Sequence, residues 1–315
     1  MASSRKRDNM PTYRDISRQT TNVLLPESIS SEIWAKAIEQ SAFMQLATRI
    51  NIPGTGTKVQ TITGEPTANW VDETNLKPVS KHTFGKKTIT PYKLAVIEPF
   101  SDEFRRDKKA LYGECVRRLP GALSRKFDST IMGTSAPGDG FDVLGTGVSS
   151  QSILPVNNGN NVYQQFVAVD AAVSEHDGIM NAIALSPQGK SIVLNAIDGV
   201  GKPLFTPGVG SRNTGDILGC AVSVNKGVYV AGTASPAKAA VVGVAGDFTG
   251  VRWGSVEGIK MAISDQATLS YNDGTSDITL NLWQQNMFAV RFEIEVAFAV
   301  MDKSQLVLLT GATPS

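Results

Sequence analysis

The stretch FAVRFEIEVAFAV, Phe288–Val300, decides how the rest of the chain is read. Phe288, Val290, Phe292, Ile294, Val296, Phe298 and Val300 take every second position, with Ala289, Arg291, Glu293, Glu295, Ala297 and Ala299 between them. Successive strand side chains point to opposite faces, so this alternation predicts one long, half-buried strand over about 287–301. At about 3.3 Å per residue it reaches roughly 40 Å, longer than most strands of compact domains. A second element of similar reach lies upstream. Ser101 reads as an N-cap with Asp102 and Glu103 in the first turn, and Phe104, Leu111, Cys115, Leu119 and Ala122 share one helical arc. The spacing predicts a helix over 101–132, roughly 45 Å long, with a kink near Arg117–Leu119 where Pro120 removes a donor and crowds the preceding turn. A long helix and a long strand of matching reach predict an elongated α+β subunit in which the two pack together.

Working outward, residues 26–48 read as a helix that starts at Pro26 and is ended by Asn51-Ile-Pro-Gly54. Ile29, Ile33, Ala37, Met44 and Ala47 lie on one arc, while Trp34 and Ile38 fall off it, so more than one side of the helix is covered. Lys58–Thr63 and Thr88–Ile97 are β-branched and extended, separated by a polar stretch of about 25 residues, far beyond the usual 2–6-residue connection. That makes a protruding arm, which must find its packing elsewhere, most simply on another subunit. Residues 134–161 are a glycine-rich connection. Val162, Phe166, Val169 and Val173 then mark a helix, Ala182–Leu185 a strand, Gly199–Gly215 a second glycine-rich loop, and Val251–Val256 another strand.

Composition excludes whole classes of function. With 30 Lys+Arg against 29 Asp+Glu the formal charge is +1, without the basic excess of a dedicated nucleic-acid binder. Two cysteines and two histidines, His82 and His176, without C-x-x-C or H-x-x-x-H spacing, give no disulfide framework, no metal site and no cofactor site. No apolar leader follows MASSRKRDNM and no run approaches a membrane span, which predicts a chain folded in a reducing cytoplasm without membrane contact. Gly189-Lys190-Ser191 has Ala184 where a phosphate loop needs glycine, and G-x-S-x-G is absent. Both histidines read as surface residues and Cys115 as a small core residue. The first 20 residues carry Arg5, Lys6, Arg7, Arg14 and Arg18 against Asp8 and Asp15, and two readings stand: a solvated tail, or an arm that orders on a partner or lies near nucleic acid.

At the polar arm, Ala68-Asn69-Trp70-Val71-Asp72-Glu73, followed by Leu76-Lys77-Pro78-Val79-Ser80 and Phe84, resembles the extended loop of tailed-phage major capsid proteins with the Hong Kong 97 fold. The order of elements is similar to that family too: a helix before the loop, a long spine helix after it, a region containing Ala182–Pro187 and Gly201-Lys202-Pro203-Leu204-Phe205, then a long closing strand. The resemblance covers about residues 22–310. It implies an α+β capsid fold with an N-terminal arm (1–25), an extended loop (54–95), a peripheral domain (26–53, 96–156 and 247–302) and an axial domain (157–246 and 303–315). Many members carry a charged N-terminal scaffolding segment, and a fold starting near residue 22 leaves no room for one. Either a separate scaffold protein acts or the shell assembles without one.

The function implied is that of a major capsid protein forming hexamers and pentamers in the icosahedral head of a double-stranded DNA phage, assembled in the host bacterial cytoplasm. Its implied partners are other copies of itself, a portal, scaffold or decoration proteins, and packaged DNA bound without sequence preference. The alternatives are an encapsulin-type nanocompartment shell of the same fold and, from another class, an enzyme with an unrecognised site. Trp70 and Glu73 are expected at a subunit contact, against the rival that Trp70 folds back on its own spine helix. Arg5, Lys6 and Arg7 are expected to face DNA. Some members form a Lys–Asn isopeptide bond between subunits with a Glu as proton acceptor, and the matching residues are Lys77, Asn286 and Glu293. Such a lysine attacks only as the neutral amine, so the reaction needs an apolar pocket. The plainer rival is a structural Lys77, with Glu293 paired to Arg291.

Overall fold

The alternating stretch forms one 14-residue strand, Met287–Val300. In this computed structural model the described residues are 27–62, 70–71, 73, 77, 84–105, 108–154, 162–197, 202, 205, 217–272 and 274–313. In chain order the elements are α1 (Glu27–Gln40), α2 (Ala42–Leu46), β1 (Thr48–Asn51), β2 (Thr57–Ile62), β3 (Phe84–Ile89), β4 (Tyr92–Ser101), α3 (Lys108–Met132), β5 (Ser149–Ser152), α4 (Val162–Ser174), β6 (Ala182–Leu185), α5 (Pro187–Leu194), β7 (Ala221–Val224), β8 (Val241–Gly246), β9 (Val251–Ser255), β10 (Lys260–Ser264), β11 (Thr268–Asn272), β12 (Asp277–Asn281), β13 (Met287–Val300) and β14 (Leu306–Thr310).

β13 organises the first sheet. One edge pairs with β4, from Met287 opposite Ser101 to Val296 opposite Tyr92. The other edge is shared end to end by β10, with Glu293 opposite Lys260, and β9, with Val300 opposite Val251. β1 extends the sheet by pairing in parallel with β9. The long helix packs on this sheet as expected. Leu119 joins Phe288, Val290 and Phe292, and Leu123, Phe127 and Ile131 join Ile294, Val296 and Phe298. The polar face of β13 is shorter than the alternation predicts. Arg291, Glu293 and Glu295 hold its middle, but Ala297 and Ala299 are fully buried against Ile52 and Ile89. The small alanines let the root of the arm lie flat on that face.

The second sheet runs β5-β14-β8-β6-β7. Its central strands, AIAL, VVGVAG and LVLLT, are buried on both faces, which is why they read as apolar runs without alternation. Ala184, Val244 and Leu308 face the core shared with β13, while Ile183, Val242 and Leu309 face α4 and α5. Val162, Phe166, Val169 and Val173 are all fully buried, as their spacing predicts.

Three boundaries differ from the sequence reading. Helix 26–48 is two helices and a strand. Ser41 is extended and caps α2, its Oγ accepting from the Met44 amide, and Thr48–Asn51 pairs with β9. The extended run 88–97 is two strands separated at Thr90-Pro91, where the Thr90 amide donates to the Gly140 carbonyl at 3.0 Å. Ser101 is the last ladder residue of β4 and also a cap, its Oγ accepting from the Glu103 amide at 3.4 Å, but the turn it caps is not the long helix itself. A 3-10 turn, Asp102–Arg105, precedes α3, whose 25 residues measure about 37 Å and run on through the buried Pro120. The side chains of Phe104, Leu111 and Cys115 lie outside the described residues.

Candidate functional site

β2 and β3 form the root of the arm, an antiparallel ladder from Thr57 opposite Ile89 to Ile62 opposite Phe84. The root is tied down at two points. Ile89 is fully buried against Ile52, Ala297 and Ala299. Lys87 Nζ lies 2.7 Å from Asp142 Oδ2 and also donates to the Val300 carbonyl. Asp142 in turn stands in for a strand beyond the end of β4. Its amide donates to the Phe298 carbonyl at 3.0 Å, and its Oδ2 accepts from the Val300 amide at 2.8 Å. Trp70 is completely exposed and rests on no surface of its own subunit, and Glu73 and Lys77 are exposed as well.

The residues of the cross-link expectation do not meet within one subunit. Asn286 sits in the exposed turn before β13 with φ +50, its carbonyl accepting from the Asp102 amide. Glu293 lies seven residues on, at about 3.3 Å per residue roughly 23 Å away. It faces Lys260 across the ladder and pairs with Arg291 Nε at 3.1 Å. Lys77 belongs to the arm. Arg5, Lys6, Arg7, His82 and most of the Gly201–Phe205 run lie outside the described residues. His176 is exposed. Gly189-Lys190-Ser191 lies inside α5, whose cap Ser186 accepts from the Gly189 amide at 3.1 Å.

Two surface cavities and one buried acid escaped the sequence reading. A cavity of about 390 Å³ lies between β4, α3 and the following loop, lined by Tyr92, Leu94, Phe127 and Phe141, with Lys93 and Lys126 among its lining residues. Phe127 was legible, since Leu119, Leu123, Phe127 and Ile131 repeat every four residues. Phe141 stands alone in a glycine-rich loop and had no periodicity to mark it. A polar cavity of about 490 Å³ lies at the α1–α2 elbow, with Gln40, Gln45, Arg125, Asn225 and Lys226 in its walls. Beside the elbow, Asp128 of α3 is fully buried. It accepts from Ser41 Oγ at 2.6 Å and from the Ala42 amide at 2.9 Å. Burial pushes its carboxyl up to about 7, and hydrogen bonds from Ser41, Ala42 and Phe43 only partly oppose that. Its position four residues from Ser124 and three before Ile131 puts it on the inward arc of α3, a signal the sequence did carry. Among the described residues no group of three or more His, Cys, Asp or Glu is placed to hold a metal ion. None of the described helices is long and apolar enough to cross a membrane.

The chain matches the phage capsid family over residues 21–311. It is 31% identical over 296 residues to the probable major capsid protein gp17 of Mycobacterium phage D29, covering 91% of this chain and 90% of that one. To the major capsid protein of Staphylococcus phage 80alpha it is 25% identical over 292 residues, covering 91% and 85%. A solved chain from Mycobacterium phage Cain has the same fold, with a TM-score of 0.67 at 22% identity, covering 96% of this chain and all of that one. A chain from the capsid of an empty GTA particle superposes with a TM-score of 0.61 at 14% identity, covering 87% and 90%.

Proposed function

The chain belongs to the phage capsid family, and from that premise we propose that it tiles the icosahedral head of a tailed phage as hexamers and pentamers around double-stranded DNA. It is a structural protein of the virion, a major capsid protein that associates with copies of itself to make the shell. The observation that carries the assembly reading is the arm: a two-stranded projection tied to the subunit at its root, with a fully exposed tryptophan farther out. An exposed indole of that size is an interface anchor in search of a surface. We assign the arm to residues 54–95, with a peripheral unit (26–53, 96–156 and 247–302) around β13 and α3 and an axial unit (157–246 and 303–315) around the second sheet. Assembly takes place in the host cytoplasm, around a portal and with scaffold or decoration proteins as the shell requires.

The near-neutral charge suits a shell wall that must let DNA slide past during packaging, because each neutralised phosphate adds salt-dependent affinity. Arg5, Lys6 and Arg7 supply a local basic contact to the packaged DNA. The cross-link reading joins Lys77 of one copy to Asn286 of another, with release of ammonia. The separation along β13 requires the Glu293 that takes the proton to come from a different copy than the Asn286 that is attacked. Purified genome-filled particles test the assignment. This chain is expected as their most abundant protein by mass spectrometry. Finding it instead in DNA-free cellular shells enclosing an enzyme cargo overturns the phage reading in favour of a nanocompartment. Deleting residues 65–85 is expected to leave folded subunits that form no closed shells, and normal particles from that variant overturn the role of the arm.

A further inference from the structure

We propose that the polar cavity at the α1–α2 elbow holds a phosphate group of the packaged DNA backbone, with Arg125 and Lys226 as its cations. The site rests on the reading of the chain as a shell around DNA, and it adds the place on the wall that touches the duplex.

The cavity is built from three stretches far apart in sequence. Its volume is about 490 Å³, and its walls come from the α1–α2 elbow, the middle of α3 and the end of β7. Hydrogen bonds fix these walls. Asn225 Nδ2 donates to the Gln40 carbonyl, Ser223 Oγ donates to Gln45 Oε1 at 2.8 Å, and Asn225 Oδ1 accepts from the Gly227 amide at 2.7 Å. The 3-10 turn Lys226–Val228 then lies directly on α3. A Cβ at Gly227 would come 2.6 Å from the Arg125 carbonyl, so glycine is what lets the two backbones meet. That contact brings Lys226 and Arg125 to the wall of one cavity.

Two cations gathered in this way, with no acid bound to either, suit an anion. Arg125 donates from Nε to the Gly121 carbonyl at 2.8 Å, which leaves its outer guanidinium nitrogens open. Among the described residues neither Arg125 nor Lys226 has an acidic partner, and Glu39, which also lies in the wall, pairs with neither. Residues 117–132 of α3 carry Arg117, Arg118, Arg125 and Lys126, and the acid among them, Asp128, is fully buried. Arg118 precedes Arg125 by about two turns, roughly 10 Å along the same side, so the positive field continues past the cavity. A guanidinium, an ammonium and the side-chain amide of Gln40 are the kinds of group that contact DNA phosphates whatever the sequence. Glu39 keeps the contact weak, as a wall that lets DNA slide past requires.

Duplex binding by full-length unassembled subunits reads the contact. A short duplex of random sequence is titrated between about 50 and 200 mM salt. Arg125→Gln and Lys226→Gln are each expected to reduce the slope of log affinity against log salt by about one, and the double variant by about two. Glu39→Gln is expected to tighten binding about threefold at the low-salt end. All three side chains are exposed, so unfolding midpoints are expected to match wild type. Folded variants that keep the wild-type slope overturn the site. Polyglutamate that binds wild type as tightly as the duplex, and loses as much in the double variant, makes the surface a dock for an acidic protein and overturns the phosphate assignment. Particles give the second reading. In phosphate-free buffer, acetylation of Lys226 is expected to be severalfold slower in genome-filled particles than in emptied ones. Equal rates overturn the DNA contact while leaving the shell assignment, which rests on the particles' composition, intact.

Discussion

β13 and the arm are both extended backbone, and their roots touch at Ala297, Ala299 and Ile89, yet they are held by different means. From Phe288 to Val300 the apolar positions of β13 are buried by their own subunit: by α3, by α2, by the second sheet and, at Ala297 and Ala299, by Ile52 and Ile89. Among its described residues the arm has Ile89 buried at its root, the Lys87–Asp142 ion pair part-exposed, and the Trp70 side chain in solvent. On the assembly reading, one region draws its free energy from folding and the other from association. Substitutions in β13 therefore threaten the subunit, and substitutions in the arm threaten the shell, with a gradient between the two along the contact.

The largest effect is expected at the centre of β13. Phe298 meets Phe43 at 5.5 Å, Phe141 at 6.2 Å and Phe127 at 6.3 Å, all buried. Phe298→Ala is expected to cost about 3–5 kcal/mol in denaturant unfolding of unassembled subunits, a large share of a domain's stability. Trp70→Ala is expected to stay within about 0.5 kcal/mol of wild type in the same experiment while abolishing particles. A Trp70→Ala subunit that unfolds as easily as Phe298→Ala breaks the comparison.

An intermediate effect, dependent on pH, is expected at the elbow between the two sheets. The folded carboxyl of Asp128 sits at about 7 against 3.8 for an unburied aspartate, so the folded state holds this proton more tightly than the unfolded state. Its contribution is therefore fully present below about pH 4 and is lost as pH rises through 7. Asp128→Asn removes the titration. The stability advantage of wild type over Asp128→Asn is expected to shrink steadily from pH 5 to pH 8 in parallel denaturant titrations. A constant difference across that range places the folded carboxyl in the ordinary aspartate range.

At the contact between the regions the effect is smaller. Lys87 and Asp142 are mostly buried and partly wet, and Lys87→Met is expected to cost about 1 kcal/mol, since the Asp142 bond to the Val300 amide remains. Hydrogen exchange is expected to accelerate in β2 and β3 and not in β10, which lies at the opposite edge of β13. Equal acceleration in both means the root is part of the core and not a separable arm.

What the sequence made legible follows the same division. Periodicity reports burial within the subunit, so Val162–Val173, Ala182–Leu185 and the alternation of β13 were readable, and so was the packing of α3 on β13. Periodicity fails where the partner is remote in sequence. Thr48–Asn51 is a strand because β9 lies beside it, and Ser101 joins a ladder because Met287 lies opposite. The cavity at Tyr92 draws on β4, α3 and a glycine-rich loop, and no local pattern joins the three. The arm was legible for the opposite reason. Polar composition over a length no compact domain uses, with one tryptophan in it, marks a segment that has no core of its own.

The smallest effect on the subunit, and the most specific on the shell, is expected at Lys77. Its side chain is exposed, so Lys77→Arg is expected to leave unfolding of isolated subunits unchanged. In mature particles the outcome differs by chemistry. On the cross-link reading, a neutral lysine amine attacks the Asn286 amide, a C–N bond forms, ammonia leaves, and Glu293 of another copy takes the proton the amine sheds. Arginine, whose guanidinium stays charged, does not perform this attack. Wild-type particles boiled in denaturant and reductant are expected to give a ladder of subunit multimers, and Lys77→Arg particles a single band. Asn286→Asp is expected to remove the ladder too, because a carboxylate resists attack by an amine. Glu293→Gln is expected to slow its appearance without moving the bands. A single band from mature wild-type particles leaves Lys77 a structural residue and Glu293 the partner of Arg291 it already is, with the capsid assignment untouched.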